Sequence, residues 1–112
     1  MKSYTDLEQS KKLAEILPKE SADMWYWEFP TAPTYNDYGY PMFHKGKDIR
    51  NVPCWSLVAL LSVLPKSAIF TPNPFDSGYS CKNLETCIEV HDSNPVDACY
   101  KIIMELHKEG LL

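Results

Sequence analysis

Cys81, Cys87 and His91 are the residues whose types and spacing come nearest to a reactive or metal-binding set. Along one extended strand, however, Cys87 and His91 stand about 13 Å apart at roughly 3.3 Å per residue. Zinc ligands all lie within about 2.3 Å of one ion. Cys81 and Cys87 are expected to face each other across a hairpin, but two thiols do not complete a site, so no metal ligands are assigned and no cofactor is expected. The same separation keeps Cys87 from pairing with His91 as thiolate and base. Cys54 and Cys99 fall on apolar faces and are expected to be inert. His44 and His107 have no partner legible in the sequence, and Glu85 with Glu89 reads as a solvated face rather than an acid/base pair. The glycine-rich phosphate loops, the HExxH zinc helix and the GxSxG nucleophile elbow are all missing. The expectation is therefore a protein without catalytic residues.

The stronger chemical signal is aromatic. Three Trp, seven Tyr and four Phe make fourteen aromatic residues, and eight of them lie between Trp25 and Phe43. Trp25, Trp27, Tyr35, Tyr38 and Tyr40, followed by Lys45, Lys47 and Arg50, form a candidate contact surface, with His44 beside the basic cluster. Tyr, Trp and Arg are the usual anchors of protein interfaces. The same mixture suits single-stranded nucleic acid, whose bases stack on aromatic rings over a basic groove. Against both stands the plainer reading, in which the Trp residues fill a core and the Tyr residues cover it.

These residues need elements to place them. The most apolar stretch is 53–65, with a proline at each end. Pro53 suits a first helical turn and Pro65 stops the helix at Leu64. The run between is apolar almost all round, which predicts a helix buried on most sides, the alternative being a helix exposed for a partner or for a second copy of the chain. Before it, Thr5 and Glu8 form a capping box for a helix whose stripe is Leu7, Ser10, Ala14 and Leu17, flanked by Leu13 and ended by Pro18. Residues 21–29 read as a strand with Asp23, Trp25, Trp27 and Phe29 on one face and Met24, Tyr26 and Glu28 on the other, central in a sheet or covered on both sides. The stretch 30–52 reads as a long irregular loop, with a short edge strand from Tyr38 to Phe43. Residues 67–71 read as a strand. Residues 79–81 and 86–90 read as a hairpin with Thr86, Ile88 and Val90 turned inward. The last helix is strongly signalled. Asn94 is its N-cap, Pro95 stands at the first position, and Cys99, Ile102, Ile103 and Leu106 draw its apolar stripe up to Gly110. Ile16-Leu17-Pro18-Lys19 echoes Val63-Leu64-Pro65-Lys66, so both places are expected to carry a helix through a proline into a strand.

The whole, residues 1–112, is expected to be one domain. It reads as α+β: a small antiparallel sheet of three to five strands with three helices mainly on one face. A net charge of −4 argues against duplex nucleic acid, where phosphate neutralisation dominates affinity. No secretory apolar region opens the chain, and no apolar run approaches the roughly 20 residues needed to span a bilayer, so the expected setting is the cytoplasm, away from membranes.

Residues 51–57 (Asn-Val-Pro-Cys-Trp-Ser-Leu), residues 92–100 (Asp-Ser-Asn-Pro-Val-Asp-Ala-Cys-Tyr) and the opening Tyr4-Thr5-Asp6-Leu7-Glu8-Gln9-Ser10 resemble small uncharacterised proteins of gut Bacteroidales and their prophages. The resemblance covers both ends and the central apolar run, not the aromatic loop. That family carries no assigned activity, so the resemblance implies a bacterial, mobile-element setting and brings over no site residues. The strand leading into Asn94-Pro95 and an amphipathic helix is also loosely similar to the end of HicB-like antitoxin domains, an analogy of fold only. The expected function is that of a non-catalytic accessory or protein-interaction domain, with a protein partner or a second copy of the chain. The alternative is a nucleic-acid-associated, antitoxin-like regulator.

Overall fold

In a computed structural model of the chain, residues 2–26, 52–72 and 78–112 are described. The elements run α1 (Leu7–Ala14), a 3-10 turn (Lys19–Ser21), β1 (Met24–Tyr26), β2 (Val52–Cys54), α2 (Leu57–Val63), β3 (Ala68–Pro72), β4 (Tyr79–Asn83), β5 (Glu89–Asp92) and α3 (Pro95–Lys108). The fold is α+β. The strands divide into two antiparallel sheets, β1-β2 and β3-β4-β5, rather than joining in one.

The first correction concerns the cap of α1. Its N-cap is Asp6, whose Oδ1 accepts the Gln9 N–H at 2.7 Å while Gln9 Oε1 accepts the Asp6 N–H at 3.1 Å. Thr5 is unavailable because it is fully buried elsewhere. Its N–H donates to the Trp55 carbonyl at 2.9 Å, its Oγ1 accepts the Trp55 N–H at 3.2 Å, and Oγ1 lies 2.8 Å from Ser10 Oγ. The capping box therefore forms one residue later, with Asp and Gln in place of Thr and Glu. α1 also stops at Ala14, before Pro18, and Leu7 lies 40 % exposed outside the stripe.

The second correction concerns the central run. Val52–Cys54 is a strand, and α2 begins only after the N-cap Ser56, whose Oγ accepts the Ala59 N–H at 3.2 Å. Residues 3–5 lie alongside 55–57, joined by the Tyr4–Ser56 bridge and by the Leu57 N–H donating to the Ser3 carbonyl at 3.2 Å. Trp55 turns its N–H and C=O toward Thr5. Strand alternation then points the Pro53 nitrogen off the β1 ladder, where a missing N–H costs no sheet bond. Pro53 faces Trp25 in that register, with Met24 opposite Cys54 and Tyr26 opposite Val52. The C-terminal signal holds: Leu64 is extended at ψ 142, as a residue before proline should be.

The third correction concerns burial. α2 is not enclosed. Ala59 and Leu60 are buried, but Val58 is 72 % and Leu61 38 % exposed. The expected 21–29 strand is described only as far as β1. Met24 and Tyr26 are buried, Trp25 is half-buried, and β2 is the strand's sole partner among the described residues. Residues 27–29 of that expected strand and the expected Tyr38–Phe43 edge strand lie outside the described residues.

The proline echo holds for the turn into a strand at both places, though at Pro18 the helix has already ended at Ala14. Ser21 N–H donates to the Pro18 carbonyl at 3.0 Å and Ala68 N–H to the Pro65 carbonyl at 2.9 Å, one tight turn after each proline before a strand starts. In the hairpin, Ile88 and Val90 do turn toward the core, but Thr86 lies exposed in the turn. Cys81 stands opposite Val90, not Cys87. Cys87 sits in the turn region with φ +61, so the backbone bends away before the two thiols can face each other.

α3 matches its sequence signals. Asn94 Oδ1 accepts the N–H groups of Val96 and Asp97 at 2.9 and 3.2 Å. At the other end Gly110 takes φ +76, its N–H donates to His107 and the Leu111 N–H to Leu106 at 2.8 Å. This pair of bonds is a Schellman close, which needs the left-handed residue that glycine supplies most easily. Cys99, Ile102, Ile103 and Leu106 are fully buried in the main core with Trp55, Leu60 and Leu13. Met24, Tyr26, Val52 and Cys54 form a second, smaller core under the β1-β2 ribbon.

Candidate contact cleft

The two ends of α2 have different fates. Its C-terminal end leads into the three-stranded sheet. Its N-terminal end meets β1 and the opening segment, and there the chain leaves a cleft of about 550 Å³ lined by Ser3, Tyr4, Asp23, Met24, Ser56, Leu57 and Val58. Asp23 sits just before β1 and grips the start of α2: Oδ1 accepts the Ser56 N–H at 3.0 Å and Oδ2 accepts the Ser56 hydroxyl at 2.5 Å. Ser56 Oγ is thus held between a carboxylate and the Ala59 N–H it caps, the placement of a structural hydroxyl rather than a nucleophile. Among the described residues Asp23 has no cationic partner.

A buried polar cluster supports the cleft from behind. Tyr26 OH donates to the Thr5 carbonyl at 2.8 Å, and Cys54 Sγ donates to the same carbonyl at 3.4 Å. Burial pushes the Tyr26 phenol up from its ordinary value, with the neighbouring Cys54 adding to the effect. Burial likewise raises Cys54, against the hydrogen bonds of Thr5 and Ser10. Neither group is poised to ionise near neutrality, so the cluster is a rigid hydrogen-bonded support. On its far side Lys2 ties the opening segment to α3, with Nζ 2.6 Å from Asp97 Oδ1. Burial works against that ammonium, but the hydrogen bond and charge of Asp97, together with Asp6, outweigh it and raise its pKa.

The remaining chemistry is scattered. Burial pushes Cys81 up to about 11 and Cys99 up to about 12, the reverse of what a nucleophile needs. On the outer face of β3-β4-β5 the register aligns Thr71, Ser80 and His91 in one row and Ile69, Lys82 and Glu89 in the next. His91 Nδ1 lies 2.7 Å from Ser80 Oγ, and His91 Nε2 lies 3.3 Å from Glu89 Oε1. The imidazole is 60 % and the carboxylate 42 % exposed, so water competes for each bond and the row is a solvated sheet face. Among the described residues no group of three or more His, Cys, Asp or Glu side chains is placed to hold a metal ion.

Of the residues singled out in the sequence, Trp25 is placed on β1, half-buried and opposite Pro53. Trp27, Tyr35, Tyr38, Tyr40, Lys45, Lys47 and Arg50 lie outside the described residues. Sequence reasoning missed Asp23 and Ser56 as a pair. A serine three residues before Ala59 at the head of an apolar run is an N-cap signal, but the signal of Pro53 as a first-turn residue competed with it. Nothing local links Asp23 to a residue 33 positions away. No helix among the described residues is long and apolar enough to cross a membrane. No protein-family model, curated protein or solved structure matches the chain.

Proposed function

We propose that this chain is a non-catalytic protein-interaction domain, in the bacterial, mobile-element setting that its resemblance implies, and that the exposed face of α2 with the adjoining cleft is its contact face. One observation carries the reading. α2 exposes Val58 and Leu61, one turn apart on a single face, while Ala59 and Leu60 between them anchor it in the core. Isolated exposed apolar residues are ordinary. Two that share a helix face, one of them lining a cleft with apolar walls, form a patch of the kind that marks interaction sites. The partner is another protein or a second copy of the chain.

The test is the Val58→Glu, Leu61→Glu double variant, examined by thermal unfolding and by solution mass across a range of concentrations. Val58 points outward and Leu61 lies at the rim of the core, so the variant is expected to stay folded with a modestly lowered unfolding temperature, and any self-association of the parent to be lost. Marked destabilisation would place the face in the core and overturn the reading. Salt-dependent binding of single-stranded oligonucleotides would shift it to the nucleic-acid alternative.

A further inference from the structure

We propose that the cleft at the head of α2 is a receptor for an arginine side chain of the partner protein. The inference rests on the interaction reading above and names the chemistry of what binds. The lining combines two features that suit one occupant. Met24, Leu57 and Val58 supply apolar wall, and Asp23 supplies the one charged group among the described residues that line it. Arg carries a three-carbon stem that packs on apolar surface and a cationic head that does not. A carboxylate has about four lone-pair positions. Asp23 uses one on each oxygen for the two Ser56 donors, so one outer lone pair remains on each. A guanidinium brings five donors and weaker hydration than an ammonium to the outer lone pairs of this half-buried carboxylate, which favours Arg over the strongly hydrated point charge of Lys. The Ser56 contacts already fix the carboxylate, so little side-chain entropy is lost on binding. α2 turns its positive end toward this carboxylate, but a two-turn helix contributes a fraction of a charge against a full one. A chain of net charge −4 also favours a basic partner.

The experiment follows the amide resonances of Met24, Ser56 and Leu57 in the 15N-labelled full chain. Nα-acetyl-arginine amide is added in one titration and Nα-acetyl-citrulline amide, its neutral near-isostere, in another. A single blocked residue is expected to bind with a Kd on the order of millimolar, several-fold tighter for arginine than for citrulline. Raised salt should shrink the difference. Asp23→Asn keeps an acceptor for the Ser56 N–H and should bring arginine down to the citrulline level. Val58→Ser should weaken both compounds alike. Equal binding of the two compounds by the parent chain overturns the proposal without any variant having to fold. So does a folded Asp23→Asn chain that still prefers arginine, or a set of arginine shifts remote from the cleft. None of these outcomes touches the contact-face reading, which stands or falls on the Val58→Glu, Leu61→Glu measurement.

Discussion

Thr5 shows how one side chain can redirect a local signal. Read in the sequence it caps α1; in the fold its hydroxyl receives the Trp55 N–H and meets Ser10, and Asp6 takes over the cap. Thr5→Val keeps the shape and removes the hydroxyl, leaving a buried donor without its acceptor. The expected cost is about 1–3 kcal/mol, seen as a lower urea midpoint, with Thr5→Ser much closer to the parent. A Thr5→Val chain as stable as the parent would show that the cluster does not stabilise the fold. The cysteines lead to a second prediction at this scale. Cys87 is exposed and the other three are buried, so a thiol reagent at pH 8 should label Cys87 in the native chain and the rest only on unfolding. Burial holds Cys81 up to about 11 and Cys99 up to about 12, above an ordinary 9.0. The unfolded chain releases those protons first as pH rises. Their contribution is therefore constant below the ordinary thiol value and is lost as pH climbs toward 11 and 12, by up to about 1.4 kcal/mol per pH unit for each thiol. Urea melts at pH 8 and 10.5 read this directly. Equal stability at the two values would contradict it.

At the scale of elements, the ends of α3 were legible because their chemistry is local. Asn94 needs only the next three residues to cap, and Gly110 only the preceding turn to close it. Asn94→Ala should cost about 0.5–2 kcal/mol. No atom lies within 4 Å of a Cβ added at Gly110, so Gly110→Ala should cost only the backbone penalty of a left-handed residue, about 1 kcal/mol. The two sites are a helix apart and share no partner, so the double variant should be additive in denaturant melts. The head of α2 was illegible for the opposite reason. Pro53 suits a helix start and an off-ladder strand position equally well, and the choice between them depends on residues 3–5 arriving beside Trp55. The hairpin shows the same division: the inward set of Ile88 and Val90 follows from alternation, while the position of the turn follows from pairing with β4.

At the scale of the molecule, β2 and the residue after it join the two cores. Cys54 enters the small core under the ribbon and Trp55 the main one. Trp55 is fully buried and donates from Nε1 to Ser21 Oγ at 3.0 Å. Trp55→Ala should cost about 3–5 kcal/mol, a large part of a domain's total of about 5–15, and lower the unfolding temperature steeply. Three residues on, Val58→Glu should change stability by no more than about 0.5 kcal/mol. Circular dichroism melts of the two variants compare core and contact face within one short stretch. From the sequence by itself came the α+β class, the proline-ended turns into strands, the whole of α3 and its buried stripe, because caps, breakers and periodicity act over a few residues. The division of the strands into two sheets, the strand at Val52–Cys54, the one-sided burial of α2 and the meeting of Asp23 with Ser56 were decided only in three dimensions. Each depends on a pairing between residues far apart in the chain, and no local propensity encodes which distant backbone arrives first.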